Sequence, residues 1–107
     1  MTLPARYMRS LWQPTLQDRF EDWLRTENGL TVYLDVRDRA FALLRSGVHH
    51  YGIAALFEAA RYERTLSLGR DFEGFRLNNS YRSRLARRLM DDYPALEGFF
   101  ETRGLKA

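Results

Sequence analysis

The stretch IAALFEAARYER, residues 53–64, decides the fold of this 107-residue chain. Alanine, leucine and glutamate favour helices, and Ile53, Phe57 and Ala60 recur on one side at helical spacing. The stretch therefore predicts a helix from about His50 to Arg64 with an apolar inner face. Other amphipathic helices must cover that face.

Two helices are predicted before this one. The first spans about residues 15–26, opened by Thr15 with Asp18 as an approximate capping box and ended by the turn at Asn28-Gly29. The second spans about residues 31–45 and stops at Ser46-Gly47.

The pattern changes after Arg64. Residues 65–68 and 72–77 suit two short strands around a turn at Gly69-Arg70-Asp71, which predicts a small β-hairpin. A fourth helix is predicted over residues 81–92, capped by the polar run 78–80, and a short last helix over residues 95–102 after Pro94. The expected fold is mainly α, with about five helices and a small β-hairpin, similar to a helix-turn-helix or winged-helix domain.

Composition fits one globular domain. The chain is 45% hydrophobic, 14% aromatic and 29% charged, which excludes wholesale disorder. We expect a loose amino-terminal arm over residues 1–13 and a single domain over residues 14–107. No cysteine and no long apolar run occur, so we expect a cytoplasmic protein with no disulfide and no membrane contact.

The charge is concentrated in one place. The chain has 16 Arg and one Lys, and its net charge is +3. Residues 1–60 are neutral overall, whereas Arg76 to Arg88 contains five Arg and no acidic residue. Arginine suits phosphate because its planar guanidinium donates several hydrogen bonds, so this run indicates a DNA-binding surface.

A helical wheel places much of this charge outward. Leu85 and Leu89 fall on the inner side of the predicted fourth helix, while Arg84, Arg87 and Arg88 fall on its outer side or edge. The first turn of the helix and the hairpin add further polar groups. The residues predicted to contact nucleic acid are Arg70, Arg76, Asn79, Ser80, Arg82, Arg84, Arg87 and Arg88.

Other interpretations stay open. The outer face is equally typical of a solvated helix, because Asp91 and Asp92 lie at ion-pairing distance in sequence from Arg87 and Arg88, and it also suits a protein interface. The second functional hypothesis is a protein that binds and inhibits a bacterial host protein, such as a defence or replication factor. It depends on the balanced charge of residues 1–60 and on the apolar residues of the arm, which are Met8, Leu11 and Trp12. A homodimer would double the basic face.

No catalytic constellation stands out. His49 and His50 are adjacent, so they point in different directions and cannot chelate a metal as a helical pair does. The sequence offers no nucleophile beside a base and no glycine-rich phosphate loop. We expect a non-catalytic protein without a cofactor.

A set of short strings carries a resemblance to a known family. They are residues 50–52, 55–58, 61–63, 75–81, 86–87, Met90, Pro94, 98–101 and Arg103. In these strings the chain resembles a family of small uncharacterised proteins of bacteriophages and prophages, over roughly residues 20–106. The resemblance implies a phage or mobile-element setting and a helix-turn-helix-like module, and it brings no catalytic residues. Arg76 stands where the family usually has Lys, which keeps the charge for a phosphate contact.

Overall fold

A computed structural model of the chain describes residues 14–69 and 79–101. That part contains four α-helices and one 3₁₀ turn. They are α1 (Leu16–Leu24), α2 (Glu27–Arg45), α3 (Ile53–Leu68), α4 (Asn79–Asp92) and the turn Pro94–Leu96. The predicted arm, residues 1–13, lies outside the described residues.

The start of α1 confirms the capping box. The Oγ1 atom of Thr15 accepts from the backbone N–H of Asp18 at 3.1 Å, and the Asp18 carboxylate accepts from the N–H of Thr15 at 2.9 Å. These bonds satisfy backbone donors that the first turn of a helix leaves without a partner.

The predicted end of the first helix is wrong. Thr26, two residues after α1 ends, is already the N-cap of α2, and its hydroxyl accepts from the N–H of Gly29 at 3.0 Å. The same hydroxyl donates to the carbonyl oxygen of Trp23 at 2.6 Å. Asn28 and Gly29 therefore lie in the first turn of α2 rather than in a stop signal, because a threonine cap competes with the turn chemistry of Asn-Gly.

The predicted hairpin is also wrong over the residues that can be compared. Its first arm, residues 65–68, is the last turn of α3, and that helix ends at Gly69 in the left-handed conformation with φ 68°. Residues 65–68 add no buried side chain, and the helix continues because their backbone bonds to the preceding turn, whereas an isolated two-stranded hairpin is only marginally stable in water. The rest of the hairpin lies outside the described residues, which contain no strand.

The predicted fifth helix is replaced by a short turn. Residues 94–96 form a single 3₁₀ turn, and the chain then bends through Gly98, which has a φ of 74°. Phe99 and Phe100 follow and are buried, so the chain turns in order to place both rings in the core. The expected helix-turn-helix or winged-helix domain of about five helices and a hairpin is therefore wrong, and the described residues form a small all-α fold of four helices.

The core joins all four helices around aromatic rings. The Trp23 ring lies 6.1 Å from Phe20, 6.3 Å from Phe57 of α3 and 5.5 Å from Tyr81 of α4, measured between ring centroids. Tilted and edge-to-face ring pairs at these distances add to the free energy of burial. The largest fully buried side chains are Phe20, Phe57, Phe99, Leu85, Leu89, Leu96, Val32 and Val36.

None of the described helices combines the length and the apolar character that are needed to span a bilayer.

Gly29 generates a stability prediction. A Cβ atom there would lie 2.6 Å from the carbonyl carbon of Trp23 and closer still to its oxygen, so the α1–α2 corner has no room for one. We expect Gly29→Ala to lower the free energy of unfolding by about 1–3 kcal/mol, as forced overpacking does. Urea denaturation followed by circular dichroism measures this loss.

Gly52→Ala is the matched control for Gly29→Ala. A Cβ atom at Gly52, the N-cap of α3, meets nothing within 4 Å. Its free energy of unfolding should change by less than about 1 kcal/mol. Equal losses in the two variants would contradict the assigned contact with Trp23.

Candidate nucleic-acid interface

The helix α4 carries the predicted interface and also contributes to the core. Tyr81, Leu85, Ala86 and Leu89 are buried, which fixes the rotation of the helix and its inner face. The apolar side of α4 faces the core, as the periodicity of the sequence predicts. The arginines between these positions lie on the rest of the helix, where Arg87 is exposed and the others are half-buried.

The structure describes the side chains of four of the eight predicted contact residues, which are Arg82, Arg84, Arg87 and Arg88. Arg70 and Arg76 lie outside the described residues. Asn79 and Ser80 form the first residues of α4, so they lie inside the helix rather than before it as predicted caps, and their side chains are not described.

Arg88 is held between two acidic side chains. Its Nη1 atom donates to both carboxylate oxygens of Glu21 in α1 at 2.8 Å, and its Nε atom donates to Asp92 at 3.2 Å. The bonds to Glu21 are the main cause that raises the pKa of the Arg88 guanidinium. The pairing of Arg88 with Asp92 anticipated from the sequence is confirmed. The charge of Arg88 is therefore neutralised inside the molecule.

The same cluster reaches α2. The Tyr33 hydroxyl donates to the Asp92 carboxylate at 2.5 Å, across 59 residues of sequence. Burial and this hydrogen bond raise the pKa of Tyr33 well above its ordinary value, because both favour the neutral phenol. We call these residues, Glu21, Tyr33, Arg88 and Asp92, the Arg88 cluster. It connects α1, α2 and α4.

Arg84 and Arg87 differ from Arg88. Neither forms an ion pair with a carboxylate in the part of the chain that the structure describes. They are three residues apart, which places them side by side on a helix surface. The Nε atom of Arg84 is buried and has no hydrogen-bond partner there, and Arg87 is exposed. Two adjacent guanidinium groups therefore keep their charge on the outer side of α4.

Arg19 extends this positive surface onto α1. Burial raises the pKa of the Tyr81 hydroxyl, and the Asp22 carboxylate adds to that rise, whereas the charges of Arg19 and Arg84 both oppose it. Arg19 is exposed. We call Arg19, Arg84 and Arg87 the basic face. Arg82 is half-buried in the first turn of α4 and already has an interaction partner within the protein.

Nothing in the sequence singles out Arg19 for this role. It lies in the half of the chain where acidic and basic residues balance, and only the packing of α1 on α4 brings its charge to the Tyr81 hydroxyl, on which Arg84 also acts. Glu21 follows the buried Phe20, at the edge of the inner face of α1. That position suggests a pair with another helix but does not identify Arg88 as the partner.

Comparisons with protein-family models, curated proteins and solved structures find no significant match to this chain. The resemblance to phage proteins stays a prediction.

The two kinds of arginine on α4 predict different effects on stability. We expect Arg88→Gln to lower the free energy of unfolding by about 1 kcal/mol, because the cluster is partly exposed and solvent screens its ion pairs. Arg87→Gln should change it by less than about 0.5 kcal/mol, as exposed substitutions do. Urea denaturation at low salt compares the two, and a larger loss for Arg87→Gln would contradict the assignment.

Tyr33 predicts a dependence on alkaline pH. Its pKa in the folded protein exceeds the ordinary 10.0, so the folded state holds the proton more tightly than the unfolded state does. The stability from this bond is fully present below pH 10 and is lost as the pH rises above it. In a tyrosinate absorbance titration, Tyr33→Phe should remove a phenol that titrates at a higher pH than an ordinary tyrosine. Loss of a phenol that titrates near the ordinary pKa would contradict the raised pKa of Tyr33.

Proposed function

We propose that this chain is a small non-catalytic DNA-binding protein that contacts the phosphate backbone with the basic face. The observation that carries the proposal is the pair Arg84 and Arg87, which carry unneutralised charge side by side on α4. Guanidinium groups three residues apart can reach neighbouring phosphates, and Arg19 adds a third positive group from α1.

The proposal is narrower than the sequence prediction. Arg88 is left out because Glu21 and Asp92 already accept its hydrogen bonds. To bind phosphate, Arg88 would have to break its bonds to Glu21 and Asp92, so phosphate would have to compete with two carboxylates. A helix-turn-helix arrangement is not included either, because the expected fold of five helices and a hairpin that suggested it is wrong.

The expected mode is backbone binding rather than base reading. Phosphate contacts provide affinity and registration, whereas sequence is read by side chains that reach base edges. Two arginines on α4, whose first turn packs Tyr81 into the core, and one arginine on α1 match the first role. We therefore expect modest affinity with strong dependence on salt.

The test replaces both unneutralised arginines on α4. Arg84→Gln with Arg87→Gln keeps most of each side chain and removes two charges. We expect affinity for a short labelled DNA duplex to fall about tenfold or more at low salt, and the slope of log affinity against log salt to fall by roughly 1.8, which corresponds to two phosphates. Fluorescence anisotropy across a salt series measures both.

The control removes the same charge from elsewhere. Arg25→Gln with Arg45→Gln changes two exposed arginines that are not on α4, one paired with Asp22 at 3.1 Å. This variant should keep most of the affinity and nearly all of the salt slope. Equal losses in both variants would show a response to net charge alone and would overturn the basic face.

Asp91 offers a change in the opposite direction. It is exposed, one turn beyond Arg87, and repels phosphate at the end of the basic face. We expect Asp91→Asn to strengthen DNA binding by a few-fold without changing stability measurably. Unchanged affinity in the same anisotropy assay would place the DNA away from this end of α4.

The alternative, a protein that binds a bacterial host protein, depended on Met8, Leu11 and Trp12. These residues lie outside the described part of the chain. That hypothesis therefore stays a prediction from the sequence.

A further inference from the structure

The outward side of α3 carries an apolar stripe. Tyr62 is 64% exposed and Leu66 is 61% exposed, although both are large and apolar in their bulk. Ala55, Ala59, Tyr62 and Leu66 follow one another at spacings of four, three and four residues. All four therefore share one side of the helix. We call these four residues the α3 stripe. Such spacing is typical of a helix that packs against another helix.

A groove of about 450 Å³ borders one half of this stripe. It lies between α3 and the end of α2, beside Ala55 and Ala59 rather than beside Tyr62 and Leu66. Ala42, Leu43 and Ser46 line it from the side of α2, and Ala55, Leu56 and Ala59 line it from α3. The half of the stripe beside the groove therefore has small side chains, Ala55 and Ala59, and the other half has the large side chains of Tyr62 and Leu66.

The order of small and large side chains fits a second copy in the antiparallel direction. A two-fold axis between Ala60 and Arg61 sets Ala55 opposite Leu66 of the second copy and Ala59 opposite its Tyr62. Each large side chain then meets a small one, and the relation holds in both directions, as a two-fold interface requires. A parallel pair would set large against large and small against small, which leaves voids at one end.

The geometry points to a homodimer in which two α3 helices pack antiparallel through the α3 stripe. Tyr62 and Leu66 of one copy fill the groove of the other. Ser46 lines that groove, and its hydroxyl, which donates to the carbonyl of Leu43 at 2.8 Å, can accept a hydrogen bond from the Tyr62 phenol of the second copy. This inference uses a different surface from the basic face and does not depend on DNA binding.

The size of the surface sets the expected strength. A standard specific interface buries about 800 Å² on each partner, more than four side chains supply, so the walls of the groove on α2 must contribute. Such an interface is at the small end of the range. We expect a reversible dimer with a dissociation constant on the order of 10 μM.

The first test measures mass against concentration. Sedimentation velocity should show a monomer at low concentration and a dimer well above about 10 μM. Leu66→Glu should weaken dimerisation at least tenfold, because it places a charge in the groove of the second copy. Leu30→Glu is the control, since Leu30 is 49% exposed on α2 and is not in the stripe or groove. It should dimerise like the unchanged chain.

The second test measures the direction of the two helices. The chain has no cysteine, so a single introduced thiol reports its own contacts. Chains with Ala55→Cys are mixed with chains with Leu66→Cys and oxidised. The antiparallel register predicts mainly mixed disulfide dimers. Equal spectra of both variants by circular dichroism confirm that each is folded.

Each result of the two tests either supports the antiparallel dimer or overturns it. Mixed disulfides together with loss of the dimer in Leu66→Glu support the proposal. Disulfides mainly between identical positions would overturn the antiparallel register. A monomer at all concentrations, or dimerisation unaffected by Leu66→Glu, would overturn the interface and assign the stripe to another partner.

Discussion

The corner between α1 and α2, where the backbone of Trp23 meets Gly29, is the constraint on which the rest of the structure depends. The Trp23 carbonyl accepts from the hydroxyl and the N–H of Thr26 at 2.6 and 3.0 Å, and Gly29 packs against that carbonyl with no room for a side chain. The corner fixes the angle between the two helices. It also sets the Trp23 ring against Phe57 and Tyr81, so α3 and α4 take their places from the same residue.

The position of α4 then decides which of its charges face solvent. With Tyr81 against Trp23 and Leu85 buried, Arg88 points along the edge toward α1 and meets Glu21, while Arg84 and Arg87 turn to the outer side. Three arginines within five residues thus have different surroundings because of rotation about one helix axis. The Arg88 cluster connects α1, α2 and α4, and the other two arginines form no ion pair with a described carboxylate.

The sequence predicts the helices well where periodicity is long and poorly where local signals compete. The inner face of α4 and the Thr15 cap follow from spacing and side-chain chemistry that act within a few residues. The α1–α2 corner does not, because Asn-Gly suggests a stop and only the packing of Gly29 on Trp23 explains its place within α2. The strand-like residues 65–68 continue α3 because a sheet needs partners that a four-residue segment cannot specify.

The candidate site shows the same division between local and long-range information. A count of charge identified α4, since arginines without intervening acids are visible in the sequence. It could not separate Arg88 from Arg87, because the partner that neutralises Arg88 is Glu21, 67 residues away.

The number of charges that remain also limits what α4 can do. Two phosphate contacts make a weak site, since each contributes about 0.9 to the salt slope. Such a site gains little from better contacts of one chain and much from a second chain on the same DNA, because linked sites bind with a high effective concentration. The α3 stripe lies on a different helix from Arg84 and Arg87, so two copies joined there keep both pairs of arginines uncovered by the helix contact itself. The proposed dimerisation through α3 and the proposed phosphate binding through α4 are therefore compatible with each other in one small all-α fold.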